Sequence, residues 1–178
     1  RSQPMANLNI NKSWGTIELY VLPYFRERTF PGEEGRLRFQ TVVDWDNALY
    51  ESDDEENHVD FAFRWSHFIG DWDIGVSHFS GTSREPLFIL DPDANVLRPL
   101  YSQIDQTSID IQATKGDWLW KLEALYNQNN REDFSAFVAG FEYTFVGAVG
   151  AADIGLLAEY HYDERKETAT TPFEDDTF

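Results

Sequence analysis

Three groups of side chains in this sequence have types and spacings that could do chemistry. His78 and Ser80 stand two apart in an alternating run, which on a strand puts both on one face, the geometry of a serine nucleophile beside its base. Such a pair also needs a group that orients the imidazole, and the alternation offers no carboxylate or amide in phase with it. His67 beside Ser66 is a weaker pair, since neighbours on a strand point to opposite faces, and neither His58 nor His161 has ligand-like partners. The second group is Asp91, Asp93 and Asn95, whose oxygens, two apart on a turning backbone, have the spacing of a calcium loop. Val96 stands where an EF-hand needs its glycine and Ser102 where it needs a bidentate carboxylate, so solvated loop charge is the better reading. The third is a ladder of charge at alternate positions: Glu18, Asp60, Arg64, Asp73, Asp110, Lys121, Glu123, Glu142, Asp153 and Glu159. Around water, such a ladder attracts cations; in a plugged interior its members would merely pair with one another.

Strands must carry these groups. Between residues 59 and 69 the odd positions are Val59, Phe61, Phe63, Trp65, His67 and Ile69, and the even ones Asp60, Ala62, Arg64, Ser66 and Phe68. That is a period of two over about ten residues, the length a tilted strand needs to cross a bilayer. Gly70-Asp71-Trp72 and Gly116-Asp117-Trp118 each separate two such runs, and Gly at the first central position predicts a two-residue type II′ hairpin. The same pattern predicts eight strands, over 6–14, 16–25, 59–69, 72–79, 104–114, 118–127, 134–145 and 153–162. Their connections alternate in length. Tight turns are expected at Trp14-Gly15, Gly70-Asp71, Gly116-Asp117 and over 146–152, and long acidic excursions over 26–58 and 80–103.

Composition narrows the function classes. The 178 residues contain no cysteine, which excludes a disulfide framework and thiolate metal chemistry. A formal charge of −18 argues against nucleic acid as a partner. No apolar run approaches the roughly 20 residues of a spanning helix, but barrel strands carry a far weaker hydropathy signal. One face of the predicted strands gathers Phe61, Phe63, Trp65, Trp72, Trp118, Trp120, Phe137, Phe141, Tyr143 and Phe145, too much aromatic volume for the inside of an eight-stranded barrel. The other face is small and charged. The charged ladder is therefore expected to line a lumen, and the aromatic face to meet lipid. Trp14, Trp72 and Trp118 fall beside tight turns, where an interfacial aromatic girdle belongs. A soluble lipocalin-like barrel, with the apolar face turned inward, is the opposite assignment of the same pattern.

The Gly-Asp-Trp hairpins, the Trp-Lys-Leu-Glu-Ala run at 120–124 and Phe-Glu-Tyr-Thr-Phe at 141–145 resemble the porin-like outer-membrane β-barrel proteins of Gram-negative bacteria. The resemblance implies an all-β fold, an antiparallel up-and-down transmembrane β-barrel with about eight strands present, forming one unit over residues 1–178. It also implies an outer-membrane location and passive transport or a structural role without a cofactor. Its surroundings would be membrane lipid and lipopolysaccharide, with divalent cations bridging the latter to the acidic loops. Both ends of the chain are expected at the long-loop side, which reads as an internal segment of a longer barrel. His78-Phe79-Ser80 also looks like the His-x-Ser of outer-membrane phospholipase A and of lipid A deacylases, although Gly81-Thr82 departs from the Ser-Asn that follows in those enzymes. A lipid hydrolase is thus the second functional expectation.

Overall fold

A computed structural model describes residues 2–32, 34–36 and 40–165, together with the backbone of Asp175–Thr177. Its strands are β1 (Ala6–Lys12), β2 (Gly15–Leu22), β3 (Leu49–Tyr50), β4 (Asp60–Ile69), β5 (Trp72–Thr82), β6 (Leu87–Asp91), β7 (Val96–Tyr101), β8 (Gln103–Lys115), β9 (Trp118–Asn129), β10 (Phe134–Val149), β11 (Ala152–Asp163) and β12 (Asp175–Thr177). Nine of them form one antiparallel sheet in the order β1-β2-β4-β5-β8-β9-β10-β11-β12. The expected all-β, up-and-down order is present. Among the described residues the sheet does not close on itself, since β1 and β12 at its two ends have one neighbour each.

The tight turns explain the order. Gly70 and Gly116 have φ of +62° and +61°, while Asp71 and Asp117 stay out of the left-handed region. That combination is the type II′ turn, whose twist matches the strands that it joins. The first turn is centred on Ser13-Trp14 rather than Trp14-Gly15, because Lys12 pairs with Gly15. The fourth is narrower than 146–152, since β10 runs on to Val149, which pairs with Ala152.

Successive turns are staggered in one direction. Continuing the Thr16–Ser66 pairing places Gly15 level with His67, two residues short of the Ile69–Trp72 turn pair. Trp72 pairs with Ala113, two residues short of Lys115–Trp118, and Trp118 pairs with Tyr143, six short of Val149–Ala152. If the first three turns lie at one level, about 3.3 Å per residue and 4.8 Å per strand give a tilt of about 35°, inside the barrel range.

The two long excursions carry structure of their own, although Glu51, Asp53, Asp54 and Glu55 in the first are exposed. Much of 80–103 is strand: the ends of β5 and β8, and the hairpin β6–β7. With β3 from the other excursion it forms a second sheet in the order β3-β7-β6. Val42–Asp44 joins that sheet through bonds from Leu97 N to Val42 O and from Asp44 N to Leu97 O. The most buried large side chains lie in this cap. Phe25 packs edge-on against Tyr101 at 4.8 Å and Tyr50 at 6.2 Å, with Val43 and Pro99 beside them. The Arg84 guanidinium lies 4.9 Å from the Phe25 ring and 5.5 Å from that of Phe79. Arg28 N donates to the Tyr101 hydroxyl, and the Tyr50 hydroxyl donates to Glu27. Burial raises the pKa of both tyrosines, and for Tyr50 the Glu27 bond raises it further.

Candidate functional site

The ladder registers bring all ten predicted charges to one face of the sheet. Glu18 is level with Arg64, Arg64 with Ser77, Gly75 with Asp110, Asp110 with Glu123, and Gln112 with Lys121. Lys121 pairs with Gly140, two residues from Glu142, and Gly140 pairs with Glu159. Asp60 and Asp73 follow from the alternation in β4 and β5, and Asp153 from that in β11. A depression of about 730 Å³ opens over this face, bordered by Asp73, Asp110, Lys121, Glu123, Val138 and His161.

The cations on this face are tied down. Arg64 donates bidentately to Asp110, with Nη1 to Oδ1 at 2.6 Å and Nη2 to Oδ2 at 2.9 Å. The two residues stand on β4 and β8, with β5 between them, and the arm crosses β5 at Gly75. A Cβ there would lie 2.4 Å from both Arg64 Nη2 and Asp110 Oδ2, so only glycine leaves the crossing open. Lys121 is paired with Glu142. Glu18 accepts from Asn9 and Tyr20, Asp153 from the Gly147 N–H, and Glu159 lies 3.6 Å from His161. Among the described residues no cation lies within ion-pair distance of Asp73 or Glu123. The face therefore combines two neutralised pairs with an excess of carboxylate.

Asp60 has a different position from the rest of the ladder. It is 1% exposed, beneath the cap, where Oδ1 accepts from Thr82 N at 2.9 Å and from His58 Nδ1 at 2.8 Å, and Oδ2 accepts from Arg84 at 2.8 Å. Its carboxylate fastens the cap to the top of the sheet rather than facing water.

The opposite face is apolar and uncovered. Phe61 is 54% exposed, Trp120 47% and Trp72 41%, with Leu8, Leu19, Phe63, Trp118, Ile154 and Leu156 also exposed. Trp118 stacks on Trp120 at 5.4 Å and touches Tyr143 at 4.5 Å, and Lys115 Nζ lies 5.2 Å from the Trp72 ring. Trp14, Trp72 and Trp118 are all at the tight-turn end, as their spacing predicted. Eight residues along β9 from Trp118, the row of Tyr126, Thr107 and His78 begins a polar rim, and Gln128, Asp105 and Ser80 form the next row.

His78 and Ser80 lie within that rim. His78 Nδ1 shares a 3.0 Å hydrogen bond with Thr107 Oγ1, and its Nε2 is 3.8 Å from Asp105 Oδ1. A carboxylate does stand near the imidazole, contrary to the sequence reading, because the β5–β8 register supplies Asp105 from another strand. Ser80 is opposite Asp105, but the ring nitrogens of His78 face Thr107 and Asp105. The structure brings together a histidine and two acceptors, without the serine–histidine bond of a nucleophilic pair.

Asp91 is occupied with turn chemistry. Its Oδ1 accepts from the N–H groups of Asp93 and Ala94, its Oδ2 is 2.7 Å from Arg98, and Asn95 takes φ of +53°. Among the described residues no group of three or more His, Asp or Glu side chains converges as metal ligands. Comparison of the chain with family models, with curated proteins and with solved structures finds no match in any of the three.

Proposed function

We propose that this chain is a lipid-facing segment of a Gram-negative outer-membrane β-barrel, serving porin-like passive transport with a preference for cations or acting as a structural wall of that membrane. One observation carries the reading: the sheet leaves a broad aromatic face uncovered while its opposite face is charged. In water, an exposed apolar surface of this extent is unfavourable, at about 25 cal/mol per Å². Lipid removes that cost, and the ladders engage both sides of each long strand from β2 to β10, while among the described residues the outer edges of β1 and β12 stay open.

Dimensions support the assignment. From Trp118 to Tyr126 is eight residues, about 26 Å along the strand and about 20 Å along the membrane normal at a tilt near 40°, against an expected band of about 25 Å. Tryptophan bounds the lower edge, and Tyr126 with the polar row of Asp105 and Gln128 the upper. Arg64 and Lys121 are each neutralised by one carboxylate, so Asp73, Glu123 and Glu18 set the sign of the field over the polar face.

The test is reconstitution of the full-length protein in a planar bilayer. Conductance with cation preference, stronger at low salt where screening is weak, is expected. Anion preference or no conductance would remove the transport half of the proposal and leave the structural one. The His78–Asp105 approach favours a second reading, a lipid hydrolase at the membrane rim; acyl-ester hydrolysis that depends on Ser80 would establish it in place of the first.

A further inference from the structure

We infer that the two open edges of the large sheet bind one another between copies of this chain, β1 of one copy against β11 of the next, so that two copies close a single barrel. The inference rests on the lipid-facing reading proposed above. Backbone phase identifies the free groups on β1. Ile69 and Trp72 flank a two-residue turn, so Phe63, Trp65 and His67 bond to β5, and Ala62, Arg64 and Ser66 bond to Tyr20, Glu18 and Thr16 of β2. β2 therefore directs Ile17 and Leu19 towards Ile10 and Leu8, and the N–H and C=O groups of Asn7, Asn9 and Asn11 point out of the sheet. On the other edge, Glu164 N donates to Ser135 O, and in the same phase Phe141 and Tyr143 bond to Ala158 and Leu156. The backbone groups of Gly155 and Leu157 are left pointing outwards. β12 pairs with β11 only from Tyr160 to Tyr162, and among the described residues β1 has β2 as its one neighbour.

A bilayer offers those groups no partner, so within the apolar band another strand must take them. Two copies inserted the same way are related by an axis along the membrane normal, which preserves strand direction. β1 runs towards the tight turns and β11 away from them, so β1 against β1 would be parallel, and β1 against β11 continues the antiparallel order. The stagger fixes the register. Each hairpin meets the following strand two residues above its turn: Gly15 at His67, Trp72 at Ala113 and Trp118 at Tyr143, which sets Phe145 and Ile154 level with the first three turns. The same step carries Ile154 to Ile10, and antiparallel counting then sets Leu156 opposite Leu8, Gly155 opposite Asn9 and Leu157 opposite Asn7. In this register the outward groups of the two edges meet in phase. On the lipid side, leucine meets leucine and isoleucine meets isoleucine, covering Leu8, Ile154 and Leu156, which are exposed in the single chain. Asn11 comes opposite Asp153, and no like charges are set against each other. The contact is head-to-tail and closes when it is made twice. Two copies of eight long strands make sixteen, enough for an aqueous channel along the charged face, whereas eight strands closed on themselves enclose only the volume that side chains fill.

The test is disulfide trapping in the full-length protein folded into phospholipid bilayers. In the inferred register Leu8 and Leu156 form a non-hydrogen-bonded pair, whose Cα separation of about 4.5 Å lies within disulfide range. Leu8→Cys and Leu156→Cys proteins, folded together and oxidised with copper phenanthroline, should give a covalent dimer, and Ile10→Cys with Ile154→Cys should do the same. Leu8→Cys with Gly155→Cys, whose side chains lie on opposite faces, should cross-link at least about tenfold more slowly. A disulfide within one chain of the double variant Leu8→Cys/Leu156→Cys would overturn the inference in favour of an eight-stranded barrel. Dimerisation of Leu8→Cys alone at the same rate would overturn it in favour of β1 against β1. Absence of cross-linking in both matched pairs would overturn it by showing that other strands cover the edges. A spin label at Ile111 in the same bilayers, relaxed by dissolved oxygen, reads the lipid contact separately, so the inference can fail while the lipid-facing reading stands; loss of that relaxation would remove both.

Discussion

Asp60→Ala should release the cap while leaving the sheet intact. The carboxylate is buried and accepts three hydrogen bonds, from the Thr82 N–H, the His58 ring and the Arg84 guanidinium. Removing one partner from a buried charged cluster costs about 3–5 kcal/mol, because the cation left behind has lost its counter-charge. Asp60→Asn keeps an acceptor but loses the charge, and should cost about 1.5–3 kcal/mol. If cleavage samples the opened cap, a loss of about 3 kcal/mol multiplies its population by about two orders of magnitude. Trypsin reads this out directly, since Arg26, Arg28 and Arg84 lie within or beside the cap, while Lys115 lies at a tight turn of the sheet. Cleavage at the cap arginines should accelerate about a hundredfold in Asp60→Ala and less in Asp60→Asn, with the Lys115 site unchanged. In intact cells, the wild-type cap should be the segment cut and the tight turns spared. Acceleration below about tenfold in Asp60→Ala, or equal acceleration at Lys115, would refute the latch.

Other consequences concern the charged face, the rim and the cap core. Arg64→Ala frees Asp110 and should raise the cation preference of conductance, yet cost less than about 1 kcal/mol in denaturant unfolding, since both partners are more than a third exposed. Gly75→Val should change selectivity in the same direction by blocking the arm without removing a charge. Ser80→Ala and His78→Ala should leave acyl-ester release from phospholipid or lipopolysaccharide at the wild-type background; a Ser80-dependent signal would replace the transport reading. Tyr50 and Tyr101 have pKa values raised above the ordinary 10.0. Their contribution to stability is full below about pH 10 and is lost as pH rises towards the folded-state values. The tyrosinate absorbance of these two should therefore appear together with loss of the cap, and titration of all eight tyrosines near pH 10 in a folded cap would contradict it.

The long strands were legible because their signal is local. Alternation over ten or more residues, punctuated by Gly70-Asp71 and Gly116-Asp117, placed eight strands close to their observed ends and assigned the ten charges to one face. The cap was not legible, because its core is assembled from Phe25, Tyr50 and Tyr101, which are far apart in sequence, and because Leu87–Asp91 is a short apolar run between prolines. Asp105 could be joined to His78, and Arg64 to Asp110 across Gly75, only through inter-strand register, which alternation within a strand does not specify. The burial of Asp60 had the same origin, since its position in the ladder matches that of exposed neighbours and only the folded cap above it makes the difference.

The central claim, that the aromatic face meets lipid and the charged face water, is tested most directly by spin labels on alternate residues. The sequence contains no cysteine, so single labels can be placed without background, at Phe63, Val76, Ile111 and Leu122 on one face and at Ser66, Ser77, Ser108 and Glu123 on the other. In the full-length protein in a lipid bilayer, the first set should be relaxed by dissolved oxygen and the second by a water-soluble nickel chelate, alternating with a period of two along each strand. The opposite alternation, or water access on both faces, would contradict the account.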